Sequence, residues 1–218
     1  MTHIEIQNVG KMIHGSTVLK GINVSMHSGK IYGLQGINGS GKTMLMRLIS
    51  GLIRPTEGKI EIDGKLLGKD ITFPASIGLL LENPAFLDSY SGFQNLKMLS
   101  SIQQRIDDSQ IKDTLVSVGL DPDSKKKYRK YSLGMKQRLG IAAAVMENPG
   151  IVILDEPTNS LDTSGVKLVK AILNMQKKRN ALVVISCHDL SILQEMSDEI
   201  FLLEAGRIVN HMVLEKDN

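Results

Sequence analysis

The stretch "GINGSGKT", residues 36–43, places three glycines, a lysine and a threonine in the spacing G-x-x-x-x-G-K-[ST]. Glycines allow a backbone to turn tightly and to approach an anion closely. A helix that begins near Gly41 directs free amides and a positive dipole end at that anion. In such a loop Lys42 reaches the β- and γ-phosphates of a nucleotide, and Thr43 offers its hydroxyl to Mg²⁺. The predicted phosphate-binding residues are Gly36, Asn38, Gly39, Ser40, Gly41, Lys42, Thr43 and Met44.

The alternative to a phosphate loop at this position is a glycine-rich turn that binds no ligand. The flanking residues favour the phosphate loop, because the apolar run "KIYGLQ" precedes it and "MLMRLIS", apolar at helical spacing, follows it. A strand before the loop and a helix after it are the context that this motif requires.

A second stretch, "IVILDEPTNSLD" at 151–162, supplies two carboxylates directly after a buried strand. Ligands of parallel α/β sheets bind at the carboxyl ends of the strands. Asp155 is therefore predicted to hold Mg²⁺, and Glu156 to orient and deprotonate an attacking water. The alternative for these two acids is a helix cap or a salt bridge, and the neighbouring phosphate loop disfavours it.

The elements that must position these residues follow from the hydrophobic periodicity. No convincing strand occurs between 89 and 147, and a polar, basic linker, "DPDSKKKYRKYS", occupies 121–132. Helices are predicted at 41–51, 89–104, 108–118, 133–147, 162–177 and 189–196. Strands are predicted at 3–9, 17–26, 29–35, 58–64, 76–81, 151–155, 181–186, 198–203 and 206–214. This order indicates a mostly parallel α/β domain with a helical insertion near its middle.

Composition excludes several other classes of protein. The chain has 218 residues, 42% of them hydrophobic and 22% charged, with a net charge of +3 and one cysteine, Cys187. A single cysteine excludes a disulfide framework within the chain and suits a reducing cytosol. No apolar run approaches the roughly 18 residues of a membrane helix, so direct membrane insertion is not expected. We also expect no signal peptide.

Four stretches together resemble the ATP-binding subunit of ABC transporters. They are the phosphate loop, "YSLGMKQRLGIA" (131–142), "ILDEPTNSLD" (153–162) and "ISCHDL" (185–190). The second is similar to the family's signature motif, the third to its Walker B motif and D-loop, and the fourth to its switch histidine. The details "LLENPAF" and "YSLGMKQR" are similar to the bacitracin- and lantibiotic-exporter type.

This resemblance implies an α/β fold of the P-loop NTPase (ABC ATPase) type. It implies a mostly parallel core sheet, an N-terminal antiparallel β part and an inserted α-helical subdomain. The whole chain, 1–218, is then a single ATP-binding domain. Its core covers about 1–82 and 148–218, and its helical subdomain about 83–147.

The resemblance also implies roles for residues of the signature and switch motifs. Ser132 and the amides of Gly134 and Met135 begin a helix, and in the family they bind the γ-phosphate of ATP held by the other subunit. Two chains, a homodimer or a heterodimer, would thus enclose two ATP molecules. His188 would contact the γ-phosphate, and Asp162 would couple the two sites across the interface. Without the resemblance, His188 is more typical of a core histidine.

Three positions depart from the family's usual pattern. Glu82 stands where glutamine is usual; its carboxylate is predicted to ligate Mg²⁺ and to add negative charge near the phosphates. Leu133 stands where the signature has glycine, and phosphate contact is expected through Gly134. Ile13 and His14 stand near the position of an aromatic residue that stacks on adenine.

The predicted function is that of the ATPase subunit of an ABC transporter, with ATP and Mg²⁺ as ligands. It would lie in the cytoplasm on the inner face of the membrane, attached to a separate permease that exports a peptide antibiotic or another amphipathic compound. A second hypothesis is a non-transport ABC ATPase that grips nucleic acid or the ribosome. Proteins of that kind carry two such domains, a zinc insertion or a long coiled coil. The sequence indicates one domain and none of these additions, so we expect no nucleic acid as a partner. A third is an ATP-binding regulator without turnover, which Asp155, Glu156 and His188 argue against.

Two further segments of the sequence each allow two interpretations. The basic run "KKKYRK" (125–130) is expected to be a solvated loop, and its alternative is contact with anionic headgroups or an acidic partner loop. The segment "NPAFLDSYSGFQNL" (83–96) either packs the core of the insertion or, by resemblance, borders the groove that receives a helix of the membrane subunit.

Overall fold

The computed structural model describes residues 1–214, so residues 215–218 of the predicted C-terminal core segment lie outside the described part of the chain. Six α-helices and ten strands occur within residues 1–214. The helices are α1 (Lys42–Ile49), α2 (Gly92–Gln103), α3 (Asp108–Ser117), α4 (Leu133–Val145), α5 (Thr163–Lys178) and α6 (Leu190–Met196). Within this described range, no helix has the length and apolar character needed to cross a membrane.

The strands form two sheets of different character. The strands are β1 (His3–Ile13), β2 (Ser16–His27), β3 (Ile31–Gln35), β4 (Glu57–Ile62), β5 (Lys65–Leu66), β6 (Ile77–Leu80), β7 (Ile151–Leu154), β8 (Leu182–Cys187), β9 (Glu199–Glu204) and β10 (Arg207–Val213). A four-stranded antiparallel sheet has the order β2-β1-β4-β5, and a six-stranded sheet has the order β10-β9-β3-β8-β7-β6. In the larger sheet β9, β3, β8, β7 and β6 pair in parallel, whereas the edge strand β10 is antiparallel to β9. The predicted α/β class, with its parallel core and antiparallel N-terminal part, is confirmed.

The central strands β3, β7 and β8 of the six-stranded sheet are buried on both faces, whereas the edge strand β10 is largely exposed. Successive side chains of a strand point to opposite faces of the sheet. Ile151 and Ile153 of β7 belong to the cluster that includes the antiparallel sheet and α1. Val152 and Leu154 belong to the cluster that includes helices α2 to α6. Full burial of each such side chain contributes roughly 1.5–3 kcal/mol relative to exposure. The continuous apolar runs of the sequence are therefore explained by two covered faces.

The start of helix α2 is set by a capping box formed by Ser91 and Gln94. The Ser91 hydroxyl accepts a hydrogen bond from the Gln94 amide at 3.3 Å, and the Gln94 side chain accepts one from the Ser91 amide at 2.9 Å. This reciprocal capping box satisfies two free amides of the first turn. The helix consequently starts at Gly92, three residues later than the periodicity predicts.

Strand β1 is longer than predicted, ending at Ile13 rather than near residue 9. Its pairing with β2 shifts register between Ile6 and Val9 and again around Lys11, and Asn8 has a φ of 49°. Such bulges interrupt the alternation of inward and outward residues. The alternation of apolar and polar residues therefore ends near residue 9, although the strand continues to Ile13.

The basic linker at 121–132 carries two anchoring tyrosines that its polar composition conceals. Tyr128 and Tyr131 are both buried. The Tyr128 hydroxyl donates to the Pro84 carbonyl at 2.5 Å, and the Tyr131 hydroxyl accepts from the Gly92 amide at 3.1 Å. Of the five basic side chains of the run "KKKYRK", Lys127 is half-buried and the other four, Lys125, Lys126, Arg129 and Lys130, are exposed, as expected of a solvated loop.

Candidate functional site

The phosphate loop connects the end of β3 at Gln35 with the start of α1 at Lys42. Gly39 and Gly41 have φ values of 81° and 110°, a region that side chains disfavour. A Cβ atom on Gly41 would lie 2.6 Å from the Leu19 side chain. The loop conformation therefore depends on glycine for both its backbone angles and its close packing.

Lys42 lies almost entirely inside this loop, with only 6% of its surface exposed. Its ammonium donates to the carbonyl of Gly36 at 2.6 Å and to that of Ile37 at 3.3 Å. The Glu156 carboxylate lies 3.9 Å from the same nitrogen. A buried ammonium requires such partners, and here the loop's own carbonyls supply most of them.

Thr43 and Asp155 meet although they are far apart in the chain. The Thr43 hydroxyl donates to Oδ2 of Asp155 at 2.6 Å, and the Ser186 hydroxyl donates to Oδ1 at 2.5 Å. The contact arises because β3, β8 and β7 are parallel neighbours whose carboxyl ends share one edge of the sheet. Gln35 and Cys187, for example, are paired at the ends of β3 and β8.

Glu156 adopts a left-handed backbone conformation with a φ of 49°. Its amide donates to the Ser186 hydroxyl at 2.7 Å, and its carbonyl accepts from the Gln137 side chain at 3.0 Å. A non-glycine residue keeps such a conformation when its surroundings over-determine it. The carboxylate is thereby directed toward His188, whose Nδ1 lies 3.2 Å from Oε2.

Lys42, Thr43, Asp155 and Glu156 line one cavity of about 450 Å³. The volume falls within the range of about 300–1,000 Å³ that is usual for small-molecule sites. The lining residues are Val18, Asn38, Gly39, Ser40, Gly41, Lys42, Thr43, Met44, Glu82, Asn83, Gln137, Asp155, Glu156 and Asn159. Gly36 and His188 line a second cavity instead.

The residues predicted from the signature motif lie elsewhere. Ser132, Gly134, Met135 and Asp162 line a separate open cavity of about 520 Å³. Ser132 caps α4, since its hydroxyl accepts from the Met135 amide at 3.2 Å. Leu133, the first residue of that helix, exposes 71% of its surface. Within one chain, therefore, Ser132, Gly134 and Met135 do not line the cavity that contains Lys42, whereas Gln137, further along α4, does.

Asp162 has a clear local role at the start of α5. Its carboxylate accepts from the Gly165 amide at 2.9 Å and from the Ser164 hydroxyl at 3.0 Å, and the Arg138 guanidinium lies 3.6 Å away. The hydrogen bond from the Gly165 amide, more than any other contact, lowers the pKa of Asp162. The residue is an ionised helix cap at the edge of the signature cavity.

Glu82 lies at the rim of the phosphate-loop cavity, directly after β6, with a φ of 60°. Its carboxylate forms an ion pair with Arg47 of α1, a residue that the sequence analysis did not single out. On the opposite side the β1–β2 hairpin contributes Val18 to the cavity, whereas His14 occupies the turn itself with a φ of 46°.

Sequence reasoning also missed Ser186 and Gln137 as supports of Asp155 and Glu156. Ser186 carried a readable signal, because it is a polar residue at the carboxyl end of the fully buried strand "LVVISC". Buried hydroxyls in such a strand need hydrogen-bond partners, and a site at the strand end supplies them. Gln137 carried no comparable signal, since polar residues are ordinary on helices.

Comparison with known proteins identifies the family of this chain. The profile of the ABC transporter family matches residues 19–159. The ABC transporter ATP-binding protein YybJ of Bacillus subtilis, described as uncharacterized, is 48% identical over 205 residues, which cover 94% of each chain. The bacitracin transport ATP-binding protein BcrA of Enterococcus faecalis is 37% identical over 211 residues, covering 96% of this chain and 68% of BcrA.

The lantibiotic transport ATP-binding protein SrtF of Streptococcus pyogenes is 34% identical over 215 residues, covering 98% of this chain and 90% of SrtF. Among solved structures, the dimeric post-hydrolysis state of the ATP-binding cassette MJ0796 bound to ADP and Pi superposes with a TM-score of 0.85 at 23% identity. That superposition covers 98% of this chain and 100% of the other, and it shows a shared fold. The resemblance to bacitracin and lantibiotic transport subunits is confirmed: the chain belongs to the ABC transporter family as an ATP-binding subunit, and it is an ABC ATPase.

Proposed function

We propose that this chain hydrolyses ATP between two copies of itself, or with a similar chain, and powers a separate membrane permease. The observation that carries the proposal is the convergence of Lys42, Asp155 and Glu156 on one cavity beside the phosphate loop. A buried cation, a hard oxygen donor and a general base are the three parts that phosphoryl transfer to water needs.

The phosphate loop is suited to an anion that replaces its internal contacts. Lys42 exchanges the carbonyls of Gly36 and Ile37 for the β- and γ-phosphates of ATP. Ser40 supports this, because its hydroxyl is buried without a hydrogen-bond partner among residues 1–214. Buried polar atoms in native proteins usually find a partner, and a phosphate oxygen or a water held by it would supply one. Amides of residues 38–44 complete the cradle.

Thr43 and Asp155 fit a magnesium ion by their chemistry. Both offer oxygen atoms, the donors that Mg²⁺ prefers, and both already face the same point. When bound, Mg²⁺ supplies charge compensation for the phosphate oxygens. We propose Thr43 and Asp155 as the residues that hold it, with Glu82 as a further ligand once its ion pair with Arg47 opens.

Glu156 acts as the base that orients and deprotonates the attacking water. The hydrogen bonds of its backbone to Ser186 and Gln137 hold the carboxylate beside the cavity before substrate arrives. His188 keeps that carboxylate in place through its Nδ1 and contacts the γ-phosphate. Preorganisation of this kind lowers the barrier because little needs to move during the reaction.

The signature cavity supports an assembly of two chains. Ser132, Gly134 and Met135 present the start of α4 to solvent, away from the phosphate loop of their own chain. A helix start binds anions through its free amides, so this surface suits the γ-phosphate of ATP held by a second chain. We propose that Asp162, which lines the same cavity, couples the two sites.

We further propose that residues 83–147 act as a helical subdomain that faces the permease, with residues 1–82 and 148–214 forming the ATP-binding core. The protein then works at the inner face of the cell membrane. Because relatives named for bacitracin and lantibiotic transport cover this chain almost fully, we propose export of a peptide antibiotic or another amphipathic compound.

The test uses the Glu156→Gln variant, which keeps the carbonyl and the size of the side chain but removes the base. With saturating ATP and Mg²⁺ it is expected to elute as a dimer, while the same variant with ADP elutes as a monomer. Monomeric elution with ATP would overturn the two-chain site. Affinity capture of the variant from detergent extracts of its native cells should yield a multi-span membrane protein in stoichiometric amount. Recovery of ribosomes or nucleic acid instead would refute the transport role.

A further inference from the structure

Three side chains with metal-binding atoms surround one point beside the phosphate-loop cavity. The ligand atoms of Glu156, Cys187 and His188 all lie within 4.8 Å of one another. Cys187 is the last residue of β8, His188 follows it, and Glu156 follows the neighbouring strand β7. Their proximity results from the parallel pairing of β7 and β8.

The donor set differs from that of the proposed magnesium site. Thr43 and Asp155 offer oxygen alone, whereas Cys187 and His188 add sulfur and nitrogen. Thiolate and imidazole select zinc or a similarly soft divalent ion over Mg²⁺, and a carboxylate is an ordinary third ligand of zinc. Three protein ligands leave one tetrahedral position for water or another small ligand.

The spacing of the three groups is close to what zinc requires. Zinc bonds of about 2.0–2.3 Å in a tetrahedral arrangement place the ligand atoms roughly 3.3–3.8 Å apart. The His188 Nδ1 already lies 3.2 Å from Oε2 of Glu156. The side chain of His188 is 66% exposed, so it rotates without disturbing the core. Movement of about 1 Å therefore completes the site.

Cys187 is held in place as a protonated thiol. It is only 3% exposed, and burial raises the pKa of its thiol. Its sulfur accepts a hydrogen bond from the Asp189 amide at 3.4 Å and lies 3.8 Å from the Thr158 hydroxyl. A buried protonated thiol resists oxidation, because the thiolate is the reactive form. A metal ion that enters from the side of His188 instead displaces the proton directly.

We propose that Glu156, Cys187 and His188 bind Zn²⁺ and that zinc bound there inhibits ATP hydrolysis. Formation of the sulfur–zinc bond releases the thiol proton to solvent, and no electron is transferred. Binding itself is independent of the proposed function. The inhibition rests on it, because the ion occupies the two side chains to which we assign the activation of water.

The binding test uses Co²⁺ as a spectroscopic substitute for zinc, added to the full-length protein without nucleotide. Cys187 is the single cysteine of the chain, so any thiolate-to-cobalt charge-transfer band reports that residue. One band per chain is expected, displaced by Zn²⁺ and absent in Cys187→Ser. His188→Ala, a change at an exposed position, should weaken Co²⁺ binding by more than the roughly 10- to 100-fold that loss of a partner hydrogen-bonded to a ligand costs.

The matched control is His27→Ala, which removes an imidazole from a different surface histidine pair, His3 and His27, whose rings stack at 4.4 Å. This variant should retain the full charge-transfer band and its Co²⁺ affinity. Zinc inhibition is then measured at fixed magnesium and ATP. Wild type and His27→Ala should lose activity with added zinc, whereas Cys187→Ser should remain active at concentrations at least tenfold higher.

The outcomes separate the zinc site from the proposed catalytic roles. Absence of the charge-transfer band, or a band unchanged in His188→Ala, would overturn the three-ligand site. Equal zinc inhibition of wild type and Cys187→Ser would show that the inhibitory ion binds elsewhere and would overturn the inhibition. A normal band with no inhibition of wild type would keep the site but overturn the inhibition.

Discussion

The guanidinium of Arg47 forms an ion pair with the carboxylate of Glu82 at the rim of the phosphate-loop cavity. Arg47 lies in the last turn of α1, the helix that begins at the phosphate loop, and Glu82 follows the edge strand β6. The acid that replaces the family's usual glutamine therefore has its negative charge compensated before a nucleotide arrives. The added charge near the phosphates, expected from Glu82 alone, is offset by a cation that is 35 residues away in the chain.

This pair predicts a compensating double mutant. Arg47→Met leaves the Glu82 carboxylate unpaired near the phosphates, and we expect the dissociation constant for ATP to rise about 3- to 5-fold by Coulomb repulsion. Adding Glu82→Gln removes that charge and should restore most of the affinity, as measured by ATP titration without Mg²⁺, because Glu82 is itself a proposed Mg²⁺ ligand. Lys97→Met removes a cation from the distant Lys97–Asp108 pair and should leave affinity unchanged. Equal affinities of Arg47→Met and the double mutant would refute the compensation.

Ser186 is predicted to matter although it touches no substrate. Its hydroxyl donates to Asp155 and accepts from the Glu156 amide, so Ser186→Ala loosens both carboxylates at once. We expect kcat to fall about 10- to 100-fold. Ser186→Thr, which keeps the hydroxyl, should recover much of the loss. Steady-state ATPase assays measure both variants, and unfolding by urea separates a catalytic effect from a loss of stability. Full activity of Ser186→Ala would count against the supporting role.

Lys42→Ala is expected to weaken ATP binding on the order of 100-fold, because a charge-assisted contact to the phosphates is lost. Fluorescence titration with a labelled ATP analogue measures this directly. Lys20→Ala removes the same charge from an exposed position of β2 and serves as the control. Unchanged affinity in Lys42→Ala would show that nucleotide binds elsewhere.

Glu199, the first residue of β9, affects how the stability of the protein depends on pH in the acid range. Its carboxylate accepts from Lys30 at 2.7 Å and from His211 at 2.8 Å. Burial alone would raise the pKa of Glu199, but these hydrogen bonds outweigh it and lower the pKa below its usual value of 4.5. A lowered folded-state pKa means that the stabilisation is present above pH 4.5 and is lost as pH falls through the lower value.

Glu199→Gln is therefore expected to cost about 1–3 kcal/mol of unfolding free energy near neutral pH. The cost should shrink as the pH falls below the usual range of a glutamate, because the wild-type carboxylate is then protonated as well. Urea unfolding at a series of pH values measures the difference. A cost that stays constant into strong acid would show that the ionised carboxylate contributes nothing to stability.

Much of the fold was predictable because its signals are local. Apolar runs of four to six residues identified the buried parallel strands, and glycine spacing identified the loop before α1. Errors concentrated at element ends. Ser91 and Gln94 set the start of α2 by hydrogen bonds between side chains and backbone, and bulges around Asn8 concealed residues 10–13 of β1. Hydrophobic periodicity does not reveal a helix cap or a β-bulge, because each depends on single residues.

The chemistry available to this protein can be read from its amino-acid sequence: a phosphate loop at 36–43 and two carboxylates after a strand at 151–154. Each of these is encoded within about a dozen consecutive residues, because loop geometry and strand ends are local properties. The residues that support this chemistry become visible in the folded chain alone. Ser186 meets Asp155, Cys187 meets Glu156 and Arg47 meets Glu82 across separations of about 30 residues or more. Those contacts depend on the order of strands in the sheet, and an apolar strand does not specify its neighbours in its own sequence.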